Sequence, residues 1–520
     1  MTQPERSQKR WLAALVVLTV VTRLPSLLHP AAIDDEAIYA VVANTIVDGG
    51  LPYESAIERK PPLLFWTYAA VFQLAGTFNW VALHMVALVW VLLTMAGLFV
   101  IGRRLFSPSA GLLAALLYSI FQPWGTWKNL AFNGEVLMNL PIVWAYAIAF
   151  STSASRARPE LFGAGVLLCA AFLLKQPAAI AAIPVGAYLL LPCYRAARNY
   201  SWRDSIVQAA LLAAGFAVAL GAVVVLLHSQ GILADAFYWS VTNHDVPHVF
   251  WRRAAEHTGA FVVATLPLLL PVFAWPLLTA TWSRRRAEWL TVLGWAGVSV
   301  IGTAAGARFY PHYYIQLIPP LAVLAAAVYA YLWHRPSFHY PWHLRRGVAS
   351  SWLALTVVVF FGIHWTGLAS RRQPTDAGRY LSRYSASDDR VFVWGQAPGI
   401  YLDARRRPAS RYIATFPLTG YVFGGPFAGD TSARIVAGAW SKLQTDLNAH
   451  PPAFIVDTEV RESSRYPITQ FPYLARLVAQ RYRPVATLPD AVIYQRRQEG
   501  HSTVDPLLRH DHADARRQSL

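Results

Sequence analysis

Long apolar runs broken by short polar or basic stretches fill the first 370 residues of the chain. They cover roughly 11–28, 80–101, 109–122, 136–151, 161–174, 177–193, 206–227, 259–281, 288–303, 313–333 and 349–368. Helices of this length approach or match a hydrocarbon core of about 30 Å. The pattern therefore predicts a mainly α, polytopic transmembrane bundle of about eleven spans. The stretch 29–79 differs. Residues 35–48 place Ile38, Val42 and Ile46 on one side and Asn44 and Asp48 away from them, with Gly49 and Gly50 as a C-terminal stop, which predicts a helix lying along the membrane surface. Pro61 and Pro62 then open a second short apolar segment that ends near Gly76. Beyond Arg371 the runs shorten. RVFVWG (390–395), AFIVD (453–457) and AVIYQ (491–495) read as buried strands, while 376–385, 433–449 and 469–480 carry helical spacing, a small α/β domain. Three regions result: a transmembrane domain over 1–370, an α/β domain over 371–500, and a tail over 501–520 of low apolar content that reads as disordered.

Composition supports the membrane reading: 55% of residues are hydrophobic and 14% charged, against about 25% charged in soluble domains. The net charge of +17 would point to nucleic acid if it lay on one soluble face. Instead Arg103 and Arg104, Arg156 and Arg158, Arg195 with Arg198 and Arg203, Arg284 to Arg286, and Arg335 with Arg345 and Arg346 fall in every second loop. By the positive-inside rule the N-terminus and these loops are cytoplasmic, so no nucleic-acid partner is expected. The expected location is the cell inner (plasma) membrane, with 29–79, 122–135, 228–258 and the α/β domain outside. Arg6, Lys9 and Arg10 precede the first run, which reads as an uncleaved span. Cys169 and Cys193 sit in apolar runs and form no metal or disulfide pattern. His501, His510 and His512 in the tail are too loosely spaced to define a metal site.

The densest negative charge, Asp34, Asp35 and Glu36, therefore lies just outside the membrane. Capping explains one acid, because carboxylates favour the positive end of a helix dipole. Three together at a membrane boundary, where desolvation is costly, favour a chemical role. In the same loop Lys60 stands before Pro61 and Pro62. Alone it reads as a snorkelling lysine; beside a carboxylate cluster it suits a substrate with an anionic lipid phosphate and a nearby hydroxyl.

Asp35-Glu36-Ala37-Ile38-Tyr39-Ala40 followed by Lys60-Pro61-Pro62-Leu63 resembles the first-loop signature of the GT-C glycosyltransferases, in particular the protein O-mannosyltransferase and aminoarabinose-transferase-like group. NGEVLMNLP (133–141) places Glu135 where this group carries its second acidic residue. ARFYPHYYIQLIPPL (307–321) is similar to a late segment of the bacterial members, and VFVWGQAPGIYLDARRRPASRY (391–412) to the outer domain that some carry. Two departures stand out. Arg59 intervenes between Glu58 and Lys60, and the second acid is Glu rather than the usual Asp, so the group's sugar specificity is not carried over.

The resemblance implies a polyprenyl-phosphate-linked sugar as donor and a glycan, lipid or protein hydroxyl as acceptor, joined with inversion on the extracytoplasmic face. Such a transfer needs a base for the hydroxyl proton and positive charge for the departing phosphate. The candidates are Asp35 as general base, Glu36 and Glu135 as its assistants, and Lys60, Arg308, His312 and Tyr313 at the phosphate. His312 and Tyr313 also read as an interfacial aromatic belt. Arg252 and Arg253 are further cations that spacing does not rank. Asp35 and Glu135 are candidate ligands for a divalent cation, Mg²⁺ or Mn²⁺. Two other readings compete: a transporter or flippase of lipid-linked sugars, which would place its ionisable residues at mid-span, and a non-catalytic envelope-assembly partner working through its α/β domain.

Overall fold

The computed structural model describes residues 3–28, 34–125, 127–150, 158–192, 201–243, 250–274, 286–334, 374–421, 430–460 and 465–497. The apolar runs fold as helices: α1 (Gln3–Leu28), α4 (Trp80–Leu105), α5 (Pro108–Phe121), α6 (Gly134–Ala149), α7 (Glu160–Leu174), α8 (Ala182–Leu190), α9 (Trp202–Ser229), α10 (Trp251–Ala264), α11 (Leu266–Ala274), α12 (Arg286–Ala304) and α13 (Ile318–His334). Among the described residues four helical segments are long and apolar enough to cross a membrane, five if the bent pair α10 and α11 is one span. Several shorter apolar helices fill the bundle between them. The expected span at 349–368 lies outside the described residues, as do Cys193 and the tail histidines.

Two runs differ from expectation, and proline is the cause in both. The run 259–281 turns by 80° between α10 and α11, because Pro267 has no N–H to continue the ladder and the Thr265 hydroxyl bonds back to the Phe261 carbonyl at 2.6 Å. The run 177–193 begins as a 3₁₀ turn, Gln176–Ala181, led by Pro177. One arginine of the basic loops has a structural task besides. Arg158 is buried and donates to the carbonyls of Ala149 (3.1 Å) and Ile148 (2.5 Å), closing the C-terminus of α6.

The segment 29–79 forms α2 (Asp34–Val47) and α3 (Pro62–Ala75), with Gly49 and Gly76 at φ +90° and +93° marking the two exits. α2 is enclosed by protein on more than one side. Ala37 to Ala43 are all buried and even Asn44 is 5% exposed, because α3 covers one side and residues Gly399–Ala404 of the C-terminal domain cover another. A weakly amphipathic pattern with no charge between Ala37 and Val47 is what such enclosure requires.

The C-terminal domain holds a five-stranded sheet in the order β2-β1-β3-β5-β4. Its strands are β1 (Arg390–Trp394), β2 (Arg407–Pro408), β3 (Phe454–Asp457), β4 (Tyr482–Leu488) and β5 (Ala491–Arg496). β1, β2 and β3 are parallel, β5 and β4 antiparallel, with Val391 opposite Phe454 and Trp394 opposite Asp457. The helices α14 (Asp376–Tyr384), α15 (Gly399–Ala404), α16 (Ala439–Ala449) and α17 (Pro472–Arg481) complete it. β4 escaped the sequence pattern because Pro484 interrupts it, which an edge strand tolerates.

This domain grips the first loop directly. Arg407 pairs with Asp48 at 2.7 Å, and the Ile57 N–H donates to the Arg411 carbonyl at 2.9 Å. The Arg59 guanidinium lies 4.6 Å from the Phe416 ring centroid. Gln176 then donates to the carbonyls of both Arg59 and Ser240, each at 3.0 Å. Lys60 and Lys175 are thus held near each other through the residues beside them.

Within the sheet, burial raises the Asp457 carboxyl to about 6 against the opposing bonds from the Glu459 and Ile468 N–H groups. The folded value lies above the unfolded one of about 3.9. The penalty is therefore absent below about pH 4, grows between the two values and is complete above pH 6, where it is worth about 2–3 kcal/mol. Asp457→Asn is expected to slow amide exchange in β3 at pH 7.5 and to leave it unchanged at pH 4. Equal effects at both values would contradict this.

Candidate active site

Side chains of Asp35 and Glu36 leave the first turn of α2 about 100° apart, and they meet different surroundings. Glu36 turns inward and is fully buried. Its Oε1 accepts the Phe132 backbone N–H at 2.5 Å and lies 3.8 Å from His84 Nε2. From α3 the Tyr68 hydroxyl donates to the Phe132 carbonyl at 2.6 Å. Arg23 of α1, also buried, donates to the Leu130 carbonyl at 2.6 Å and to Gln122 at 2.8 Å. The loop before α6 is thus fixed from three helices. Asn133 then caps α6 by accepting the Val136 N–H at 3.3 Å, which sets Glu135 in the first turn.

Asp35 meets a different side of the site and keeps 38% of its side chain exposed. His312 stands between the two acids, its Nε2 3.5 Å from Asp35 Oδ2 and 4.0 Å from Glu135 Oε1. Glu135 is only 1% exposed and is in direct contact with the Lys175 ammonium. That ammonium also lies 4.4 Å from the centroid of the Tyr313 ring. Two helix N-termini therefore bring carboxylates to one place, and the turn Pro311–Leu317 lays an imidazole and a phenol across them.

The remaining candidates lie around this group. Lys60 is within electrostatic reach of both Lys175 and His312, and Arg308 of Tyr313. Arg308 sits between Ala307 and Phe309, whose φ values of 52° and 50° are left-handed. Non-glycine residues seldom adopt that conformation, and it concentrates at functional sites. Position separates the two arginines that spacing left equal. Arg252 is 92% exposed and paired with Glu256; Arg253 lies 4.9 Å from the Tyr310 ring, which stacks on His312 at 5.7 Å. A small crevice with room for about one water, lined by Asn139, Ile142, Ala178, Trp295, Ser299 and Gln316, lies one turn of α6 beyond Glu135.

The structure thus groups Asp35, Glu135, His312 and Tyr313, with Lys60 and Arg308 in electrostatic range, and gives Glu36 contacts of a different kind. Sequence reading passed over three residues: Lys175, Arg23 and His84. Lys175 was visible as the one cation in the apolar stretch from Leu161 to Leu191, a position that itself marks function.

The donors near Asp35 and Glu135 do not suit a divalent cation. Among the described residues no three His, Cys, Asp or Glu side chains are placed to hold a metal ion. An ammonium already occupies the second carboxylate, and hard cations need several unshared oxygens.

Residues 59–224 match the dolichyl-phosphate-mannose-protein mannosyltransferase family. No curated protein sequence is significantly similar to the chain. The structure resembles ArnT from Cupriavidus metallidurans in its apo state with a TM-score of 0.60 at 16% identity, over 94% of this chain and 98% of that one. ArnT bound to undecaprenyl phosphate gives 0.59 at 14% identity over the same shares. The archaeal oligosaccharyltransferase AglB from Archaeoglobus fulgidus, in complex with an inhibitory peptide and a dolichol-phosphate, gives 0.52 at 13% identity, over 96% of this chain and 75% of that one. The matched segment contains Lys60, Glu135 and Lys175, and over nearly its whole length the chain shares the fold of ArnT and AglB.

Proposed function

We propose that this chain transfers a sugar from a polyprenyl-phosphate donor to an acceptor hydroxyl at the extracytoplasmic face of the membrane, with Asp35 as general base. One observation carries the assignment of the base: of two carboxylates brought together by His312, one is open and the other sealed. Only Asp35 can meet an incoming hydroxyl. Glu135, closed in by Lys175, serves as the fixed anion that holds Lys175 and His312 in place.

In the step itself the acceptor oxygen attacks the anomeric carbon as the bond from that carbon to the phosphate oxygen breaks. The hydroxyl proton passes to Asp35, and polyprenyl phosphate leaves with the electron pair. A single displacement of this kind inverts the anomeric centre. Lys60 and Arg308 face the leaving phosphate, where fixed positive charge is most effective in a water-poor site. The N-termini of α2 and α6 add to the same field. Asp48, Arg407 and Phe416 keep the loop bearing Lys60 against the C-terminal domain. The lipid ligands of the two related structures, undecaprenyl phosphate and dolichol-phosphate, support a donor of this class.

The test is transfer in detergent. Purified protein, supplied with radiolabelled hexosyl and pentosyl polyprenyl phosphates and an extract of envelope glycans, lipids and proteins, is expected to label an acceptor without sealed vesicles. A transporter needs two compartments. Label that moves only across sealed vesicles, and joins no acceptor in detergent, would overturn the proposal. Mass spectrometry of envelope glycans with and without the protein then names the sugar and the acceptor.

A further inference from the structure

The charges around Glu135 follow an unusual plan. Lys60, Lys175 and Arg308 share the neighbourhood of Asp35, Glu135 and Glu58, so fixed cations already stand among the carboxylates. A divalent ion would add two positive charges beside three. It would also need oxygens that are not in place: Mg²⁺ keeps several water ligands, whereas Glu135 is 1% exposed and covered by the Lys175 ammonium, itself closed on its other side by the Tyr313 ring. His312 bridges the gap between the two acids in which an ion would sit.

We propose that Lys175 is a built-in replacement for a metal ion, occupying the cation position beside Asp35 and Glu135 so that the site works without a divalent ion and rejects one. The idea deepens the proposed function, which supplies the phosphate that a cation must face. Lys175 is covalently tied between α7 and the turn Gln176–Ala181, and its neighbour Gln176 is bonded to the Arg59 carbonyl. The charge is therefore delivered at a fixed place and is independent of metal supply.

Mn²⁺ alone serves as the probe, titrated into the full-length purified protein after EDTA treatment and followed by electron paramagnetic resonance of the free ion. This needs neither donor nor acceptor, so its outcome stands whether or not transfer is detected. The wild type is expected to show no Mn²⁺ site that Glu135→Gln removes. Lys175→Ala, which uncovers Glu135, is expected to tighten Mn²⁺ binding by about tenfold or more, and adding Glu135→Gln is expected to abolish the gain. Micromolar binding by the wild type that Glu135→Gln removes would overturn the proposal, as would a folded Lys175→Ala protein with unchanged Mn²⁺ affinity. If Lys175→Ala does not fold, the comparison of wild type with Glu135→Gln decides alone.

Discussion

Asp35→Asn is expected to lower the rate of sugar transfer by about 10²–10⁴-fold, the usual contribution of a positioned base, while the protein keeps its size-exclusion profile. The substitution preserves shape and removes the charge that accepts the proton. Asp35 is 38% exposed, and among the described residues its ion-pair contact is with His312 at 3.5 Å. Its loss should therefore cost no more than about 1 kcal/mol, the value of a carboxylate in a helix first turn. Initial rates with the radiolabelled donor, read beside thermal unfolding in detergent, separate the two effects. A cap would behave in the opposite way, with stability lowered and turnover kept.

Lys175→Met is expected to be the most destabilising single change in the site. It leaves Glu135 enclosed without its ammonium, and breaking such a pair costs about 3–5 kcal/mol. Lys175→Met combined with Glu135→Gln replaces both charges and should recover most of that loss, since a buried pair exchanged for neutral groups is often close to neutral in stability. Activity should not return, because neither the anchor nor the cation remains. Thermal unfolding of the two single variants and the double variant, with transfer rates on each, is the measurement. Strictly additive losses in stability would show that the pair does not interact as described.

Much of this was legible in the chain. Apolar runs gave the bundle because helices in lipid must satisfy every backbone group internally. RVFVWG, AFIVD and AVIYQ gave three strands because burial on both faces demands continuous apolar sequence. The spacing of Asp35, Lys60 and Glu135 carried a family resemblance, and the mannosyltransferase match over 59–224 and the GT-C fold agree with it. What the sequence concealed were relations between distant segments. Asp35 and Glu36 are adjacent and chemically alike, so nothing local says that one is open and the other clamps Phe132 from 96 positions away. Enclosure of α2 depends on α3 and on residues beyond Gly399, which no local periodicity reports. Arg59 looked like an interruption between Glu58 and Lys60. In the fold Glu58 is 8% exposed while Arg59 turns away to Phe416, so the inserted cation serves the docking of the C-terminal domain.

Glu135 and Lys175 show the same limit in a sharper form. The sequence offers Glu135 as a candidate acid and Lys175 as a lone cation in an apolar stretch, but nothing local to either names its partner. Only their contact turns them into a buried pair, and that pair is what leaves Asp35 as the base we propose. On that proposal the acidic triplet combines chemistry at Asp35 with architecture at Glu36.

Cross-linking with a polyprenyl phosphate that carries a photoreactive group next to its phosphate tests the central claim most directly. The account predicts labelled peptides containing Lys60, Lys175 and the segment Arg308–Tyr313, with labelling competed by undecaprenyl phosphate and reduced by Lys60→Ala. Labelling confined to the opposite end of the bundle, around Arg103 and Arg158, or labelling that undecaprenyl phosphate does not compete, would contradict it.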